Sequence, residues 1–403
     1  MLSAEREKGC TLLETAVWRR LAARACPLAV LLLVLAALTP VPAPAAPRPA
    51  ATCQDSPLPS GALARVCLPA SVWAGDVLIY VPGFSPSGGF RNLVLPDGTE
   101  LADVVNRAGM AFATTNVGLV VDVRELAEAL PSLLGRAPRR VMIAGVSQGG
   151  LVTTLLAEQE PQRFSAALAL CGPIGDYRGQ IDYFGDYRAL FDYFFPGVLP
   201  GDAVAIPQPL IDGWESTYAP AVAAAVAADP AAAAELIAVS GAAIDTTTPA
   251  IAATTTLSTT LGALWYNVFA TNGARAELGG NPYENQGRAY AGSSDDAMLN
   301  QGVGRYTADL QALAALTASE TSGQIRIPLV LMHTTGDEIV PFWHVERYLA
   351  KVRRVGLDAN VTFFPAARYG HCNFTSDELL TSFIVLNQQA EARLRVFLPA
   401  VGR

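Results

Sequence analysis

A serine boxed by glycines, three histidines and a turn aspartate are the residues of this chain whose types and spacing suit chemistry. Ser147 stands in Gly145-Val146-Ser147-Gln148-Gly149, directly after the apolar run RVMIAGV and before the helix-type segment GGLVTTLLAEQ. Strand, tight turn, helix is the order a nucleophile elbow requires, because small residues at 145 and 149 permit the turn that lifts the serine hydroxyl above the strand end. That hydroxyl is a weak nucleophile near neutral pH, so it needs a base, and the base needs an orienting carboxylate. His371, in RYGHCNFT between the last strand-type and last helix-type segments, is the expected base. His333 ends a strand just before Asp337 and is expected to shape that loop, while His344 falls inside a helix, where a packed or surface role is expected. Asp337, in the turn HTTGDEIVP, is the expected acid, with Asp176 as its rival and Glu338 pointing elsewhere. The backbone N–H groups of Gln148, at a helix start, and of Phe84, in YVPGF, are the expected donors to a developing oxyanion.

These residues need elements to hold them. Strand-type runs at 76–81, 110–116, 140–146 and 165–171 alternate with helix-type segments at 101–109, 122–135 and after Ser147. The run at 140–146 is continuously apolar, as in a strand buried on both faces of a parallel sheet, and the alternation implies βαβ crossovers. The rhythm breaks at Gly172. Residues 172–325 are rich in aromatics, then alanine, then threonine, with helical spacing dominant but broken into short pieces by Pro and Gly, and read as a helical insertion between a first core segment (47–171) and a second (326–403). The second repeats strand 327–333, a helix near 342–353, strand 360–365 and a last helix at 376–397. Within the insertion, Tyr183, Tyr187 and Phe191 either line an acyl pocket or form the core of the insertion itself. Asp182, Asp186 and Asp192, interleaved with them, offer carboxylates for a substrate amine.

Residues 1–46 read as an export signal: Arg19, Arg20 and Arg24 precede the run PLAVLLLVLAAL and the small-residue stretch TPVPAPAAP, with cleavage after Ala45 or Ala46. The apolar run is shorter than the roughly 20 residues of a membrane span, so no membrane association is expected after cleavage. A net charge of −8 argues against nucleic acid or an anionic membrane surface as partner. Export to a secreted or periplasmic location favours disulfides over thiol or zinc chemistry. Cys53 and Cys67, flanking a short Pro/Gly/Ser-rich segment, are expected to bridge. The histidine and cysteine complement offers little material for a metal site, and no metal or cofactor is expected.

In the order PGF, GVSQGG, HTTGDEIVP and YGHCNFT, the chain resembles the α/β-hydrolase superfamily, secreted serine esterase-like members in particular, over residues 76–171 and 326–398. The resemblance implies a mostly parallel sheet flanked by helices, with 172–325 as a helical cap. It also implies Ser147 as nucleophile, Asp337 as acid, His371 as base, and Phe84 and Gln148 as oxyanion donors. Two departures stand out. Where the family often has His-Gly at the oxyanion strand, this chain has Pro82-Gly83. Tannase and feruloyl-esterase relatives join a cysteine before the serine to one after the histidine; here Cys372 follows His371 but Val146 precedes Ser147. Cys171 is then the available partner for Cys372, as a bridge or as one of two free buried thiols. The implied activity is hydrolysis of a small-molecule or polymeric carboxylic ester. A serine exopeptidase and a non-catalytic binding protein of the same fold are the alternatives.

Overall fold

The computed structural model describes residues 51–397, so the signal-type segment lies outside the described residues. A single sheet carries eight strands: β1 (Thr52–Pro57), β2 (Leu63–Leu68), β3 (Asp76–Val81), β4 (Ala111–Thr115), β5 (Arg140–Val146), β6 (Ala166–Leu170), β7 (Leu329–Gly336) and β8 (Val361–Tyr369). Their order across the sheet is β1-β2-β4-β3-β5-β6-β7-β8, antiparallel at β1–β2 and β2–β4 and parallel from β4 onward. This is an α/β-hydrolase fold, with a helical insertion between β6 and β7.

The central strands are apolar without interruption because helices cover both of their faces. In β3, Val77, Ile79 and Val81 belong to one core with residues of α2 (Val120–Leu133), α3 (Gln148–Gln159) and α11 (Trp343–Arg354). Leu78 and Tyr80 point the other way, toward α1 (Leu101–Arg107) and α12 (Ser376–Phe397). The period of two along the strand thus sorts its side chains between two cores. Helix α2 starts where Asp122 accepts hydrogen bonds from the Gly118 and Leu119 N–H groups at 3.0 and 2.8 Å, fixing the crossover after β4.

The sequence reading began the sheet at residue 76 and passed over the β1–β2 hairpin. Strand β1 is polar and largely exposed, so it carries no apolar alternation to betray it. Cys53 and Cys67 face each other across this hairpin and are bonded, with Cα atoms 4.0 Å apart. Strand β8 also runs longer than the expected 360–365, with an irregularity opposite Thr334–Gly336 that carries the chain toward His371.

The insertion comprises α4 (Tyr177–Phe194), α5 (Gln208–Asp212), α6 (Ala219–Ala228), α7 (Pro230–Ser240), α8 (Pro249–Leu278), α9 (Asp296–Gly302) and α10 (Leu310–Leu316). It has its own core, with Tyr187, Phe191, Leu210, Leu236 and Leu264 fully buried. Polar ties brace it: Arg288 pairs with Asp182 at 2.7 Å and with Asp186, and Arg188 pairs with Asp192 at 2.8 Å.

Candidate active site

The parallel strands end at one edge, and Ser147, Asp337 and His371 are each delivered there by the segment following a strand. After β5 the chain turns so sharply that Ser147 adopts φ 55° and ψ −124°. A Cβ at Gly145 would lie 2.0 Å from the Gly149 carbonyl oxygen, and one at Gly149 would lie 2.1 Å from that of Val81. Glycine is therefore required at both positions by backbone contact. Among the described residues, only Ser147, Cys171 and Cys372 combine a side chain with positive φ. Such conformations persist only where the surroundings fix them, and all three lie at this edge.

The loop after β8 brings His371 over the elbow, with its Nε2 2.9 Å from Ser147 Oγ. Its Nδ1 lies 2.9 and 2.8 Å from the two carboxylate oxygens of Asp337, which follows β7. Asp337 is itself fixed, since its Oδ1 accepts the N–H groups of Ile339 at 3.0 Å and Val340 at 2.8 Å. Burial opposes the charge on Asp337, but the field and hydrogen bond of His371 outweigh it and hold the carboxyl below its ordinary range. Burial likewise works against the charged imidazole of His371, yet the Asp337 charge and hydrogen bond prevail, so its pKa lies above the usual 6.5. A disulfide joins Cys171, just past β6, to Cys372, with Cα atoms 5.4 Å apart. It ties the histidine loop to the neighbouring strand end, so the free-thiol alternative does not describe this structure.

The remaining candidates occupy other posts. His333 Nε2 contacts the Val340 carbonyl at 2.8 Å, bracing the Asp337 loop. His344 is buried; its Nδ1 accepts the Gly175 N–H at 3.1 Å and its Nε2 meets Gln180 Oε1 at 2.8 Å. Burial first, and nearby cations after it, push its pKa well below 6.5. Asp176 caps α4 by accepting the Gly179 N–H at 2.8 Å and pairs with Arg347, away from His371. Burial raises the Glu338 pKa, and the carboxylate hydrogen-bonded to the His371 ring is that of Asp337. The N–H groups of Phe84 and Gln148 make no hydrogen bond within the described residues, and both residues line the cavity that holds Ser147. A Cβ on Gly83 would come within 3.2 Å of Ser147 Cβ, which explains a glycine beside Phe84.

That cavity has a volume of about 300 Å³ and lies between the elbow and the insertion. The expected pocket residues need correction. Tyr187 and Phe191 are fully buried in the core of the insertion, and Tyr183 turns its hydroxyl to the Glu338 carbonyl at 2.6 Å. Spaced four apart, they share the inward face of α4. The cavity instead takes Tyr177, Ile181 and Phe184 from the adjacent face. Sequence reasoning also missed Tyr266 of α8, whose phenol reaches Ser147 and whose ring stacks on Phe184 at 5.1 Å. Nothing local marks this tyrosine, because only the packing of α8 over the sheet edge brings it to the serine.

No protein-family model matches the chain, and no curated protein matches it. Among solved structures it is similar to the Pyrococcus horikoshii acylaminoacyl peptidase at 11% identity and a TM-score of 0.39, covering 90% of this chain and 41% of that one. An esterase of Pyrococcus furiosus matches at 10% identity and a TM-score of 0.45, over 85% of this chain and 90% of that one. The esterase domain of a Rhodothermus marinus protein matches at 14% identity and a TM-score of 0.41, over 86% and 98%. The chain spans about two fifths of the length of the acylaminoacyl peptidase. The α/β-hydrolase fold of this chain is evident from its own strand order and serine elbow.

Proposed function

We propose that this chain is a serine hydrolase that cleaves carboxylic esters through an acyl-enzyme on Ser147. The observation that carries the reading is the continuous contact from Ser147 Oγ to His371 Nε2 at 2.9 Å and from His371 Nδ1 to Asp337 at 2.8 Å. In this reading His371 takes the serine proton as the oxygen attacks the carbonyl carbon, while Asp337 fixes the tautomer and balances the imidazolium. The N–H groups of Phe84 and Gln148 receive the oxyanion. His371 then protonates the leaving alcohol, and a water molecule repeats the sequence to release the acid.

An exopeptidase needs an unpaired carboxylate to hold a substrate ammonium. Asp182 and Asp186 are paired with Arg288 and Asp192 with Arg188, leaving Glu277 as the acidic residue that lines the cavity. The three aspartates of the aromatic run are therefore committed within the insertion, and Glu277 is the carboxylate an exopeptidase reading would have to use. The test is turnover of p-nitrophenyl esters of graded acyl length and of aminoacyl p-nitroanilides by the purified protein and its Ser147→Ala variant. Ester turnover that falls by about 10⁴-fold or more in the variant is expected. Unchanged turnover in Ser147→Ala overturns the mechanism, and preference for the anilides overturns the substrate class. Loss of all activity from the wild-type protein would favour a binding role.

The same reading places the protein outside the cytoplasm. Its support is the basic and apolar N-terminal segment together with two disulfides. No single helix among the described residues is long and apolar enough to cross a membrane. Mass spectrometry of exported protein is expected to show a chain starting at Ala46 or Pro47; an intact N-terminus on the exported protein contradicts signal cleavage.

A further inference from the structure

The phenol of Tyr266 is unaccounted for by the mechanism above. Tyr266 lies on α8, in the insertion, and lines the same cavity as Ser147. Its hydroxyl makes no other hydrogen bond among the described residues, whereas Tyr183 is bound to the Glu338 carbonyl and Tyr187 to Thr260. The ring is held from several sides. It stacks parallel to Phe184 with centroids 5.1 Å apart, contacts Trp265 at 5.0 Å, and lies 6.0 Å from the Phe84 ring. A stiff side chain whose donor faces no partner but the serine is what electrostatic preorganisation requires.

We propose that Tyr266 is a catalytic residue that supplies a third hydrogen bond to the tetrahedral oxyanion formed at Ser147, and so acts from the insertion on the chemistry of the core. This rests on the serine-hydrolase reading. Its position selects the oxyanion over the leaving group. Tyr266 packs against Phe84, whose N–H is one of the two oxyanion donors, while the leaving group must face His371, the only proton source in the mechanism. Ser147 Oγ already has its partner in His371 Nε2 at 2.9 Å, so the phenol is not needed to hold the resting serine. When the carbonyl is attacked, the negative charge appears on an oxygen that had little before, and a neutral donor gains most there. Tyr266 transfers no proton; it donates a hydrogen bond and remains a phenol. Burial supports this by raising its pKa to about 12, even though contact with Ser147 pulls the other way.

The test is the Tyr266→Phe variant of the full protein, which keeps the ring stack and removes only the hydroxyl. With a p-nitrophenyl ester, kcat is expected to fall by about 10²-fold, the scale of a lost oxyanion donor, while KM changes less than about threefold. The second readout is inhibition by an alkyl trifluoromethyl ketone, which forms an anionic hemiketal with the serine. Its Ki is expected to rise by the same factor by which kcat/KM falls, a correlation that a packing role does not produce. Wild-type kcat and Ki in Tyr266→Phe, alongside an inactive Ser147→Ala, overturn the role of Tyr266 and leave the serine mechanism standing. A higher kcat in Tyr266→Phe also overturns it, because the phenol would then be restraining the resting serine. Full activity in Ser147→Ala removes both readings together.

Discussion

The sheet edge and the insertion build their halves of the site by different physical means. At the edge, backbone geometry does the positioning: Gly145 and Gly149 have carbonyl oxygens where a Cβ would sit, and Ser147 is held at φ 55°. In the insertion, side chains do it, through aromatic stacks around Tyr266 and the Arg288 ties to Asp182 and Asp186. A backbone-defined site tolerates almost no substitution at its turns, whereas a side-chain-defined wall can be repacked while the chemistry stays in place. The division matches the proposed roles: a rigid bond-breaking apparatus below and an adjustable substrate wall above, from which Tyr266 is proposed to act on the reaction.

The contrast can be broken at its strongest point first. Gly145→Ala places a methyl group inside the elbow, 2.0 Å from the Gly149 oxygen and 2.5 Å from Thr153 Oγ1. The expected outcome is loss of soluble folded protein, or, where it folds, at least about a 10²-fold drop in kcat from a displaced serine. A soluble variant with wild-type kcat shows that the elbow is not fixed by its backbone. Circular dichroism and ester turnover read the two halves of that expectation.

An intermediate effect comes from pH. The working base is the neutral imidazole of His371, and the negative charge of Asp337 raises its pKa above 6.5. As pH falls through that raised value the imidazole is protonated, so kcat/KM is expected to drop about tenfold per pH unit below a midpoint higher than 6.5. In Asp337→Asn the larger of the two carboxylate fields on the ring is gone, leaving burial opposed only by Glu338, so the midpoint of the residual activity moves to lower pH. A wild-type midpoint at or below 6.5, or one unmoved in Asp337→Asn, contradicts the electrostatic account of the pair.

The smallest effect belongs to the insertion. Gly273, inside α8, has nothing within 4 Å of where a Cβ would stand. Gly273→Ala is expected to raise stability by about 0.5–1 kcal/mol through helix propensity, read as a modest increase in the thermal midpoint. A loss of stability comparable to that of Gly145→Ala erases the distinction between the two regions.

Much of the lower half was legible before any coordinates. The apolar run 140–146 followed by GVSQG announces its own turn, because buried parallel strands and glycine-bounded elbows leave local marks. His371 and Asp337 were accessible by elimination among few candidates, each sitting just past a strand-type run. The β1–β2 hairpin was not, since its first strand is exposed and polar and is held by pairing and by the Cys53–Cys67 bond instead of by burial. The aromatic run 183–195 was legible as a buried helix, but not as to which face meets the cavity. Tyr183, Tyr187 and Phe191 turned to the core of the insertion, while Phe184, one residue along, turned to the serine. The choice depends on where the other helices of the insertion pack, and no pattern within α4 contains that information.

By itself, then, the order of residues determined the alternation of strands and helices, the elbow at Ser147 and the identities of its partners, because each follows from local periodicity, turn chemistry or the types of side chain present. Tertiary structure alone decided that Ser147, Asp337 and His371 touch, that Cys171 closes onto Cys372, and that Tyr266 enters from the insertion. Those are contacts between segments far apart in the chain, and their distances are set by how layers of helix and sheet pack, a property that no short window of sequence carries.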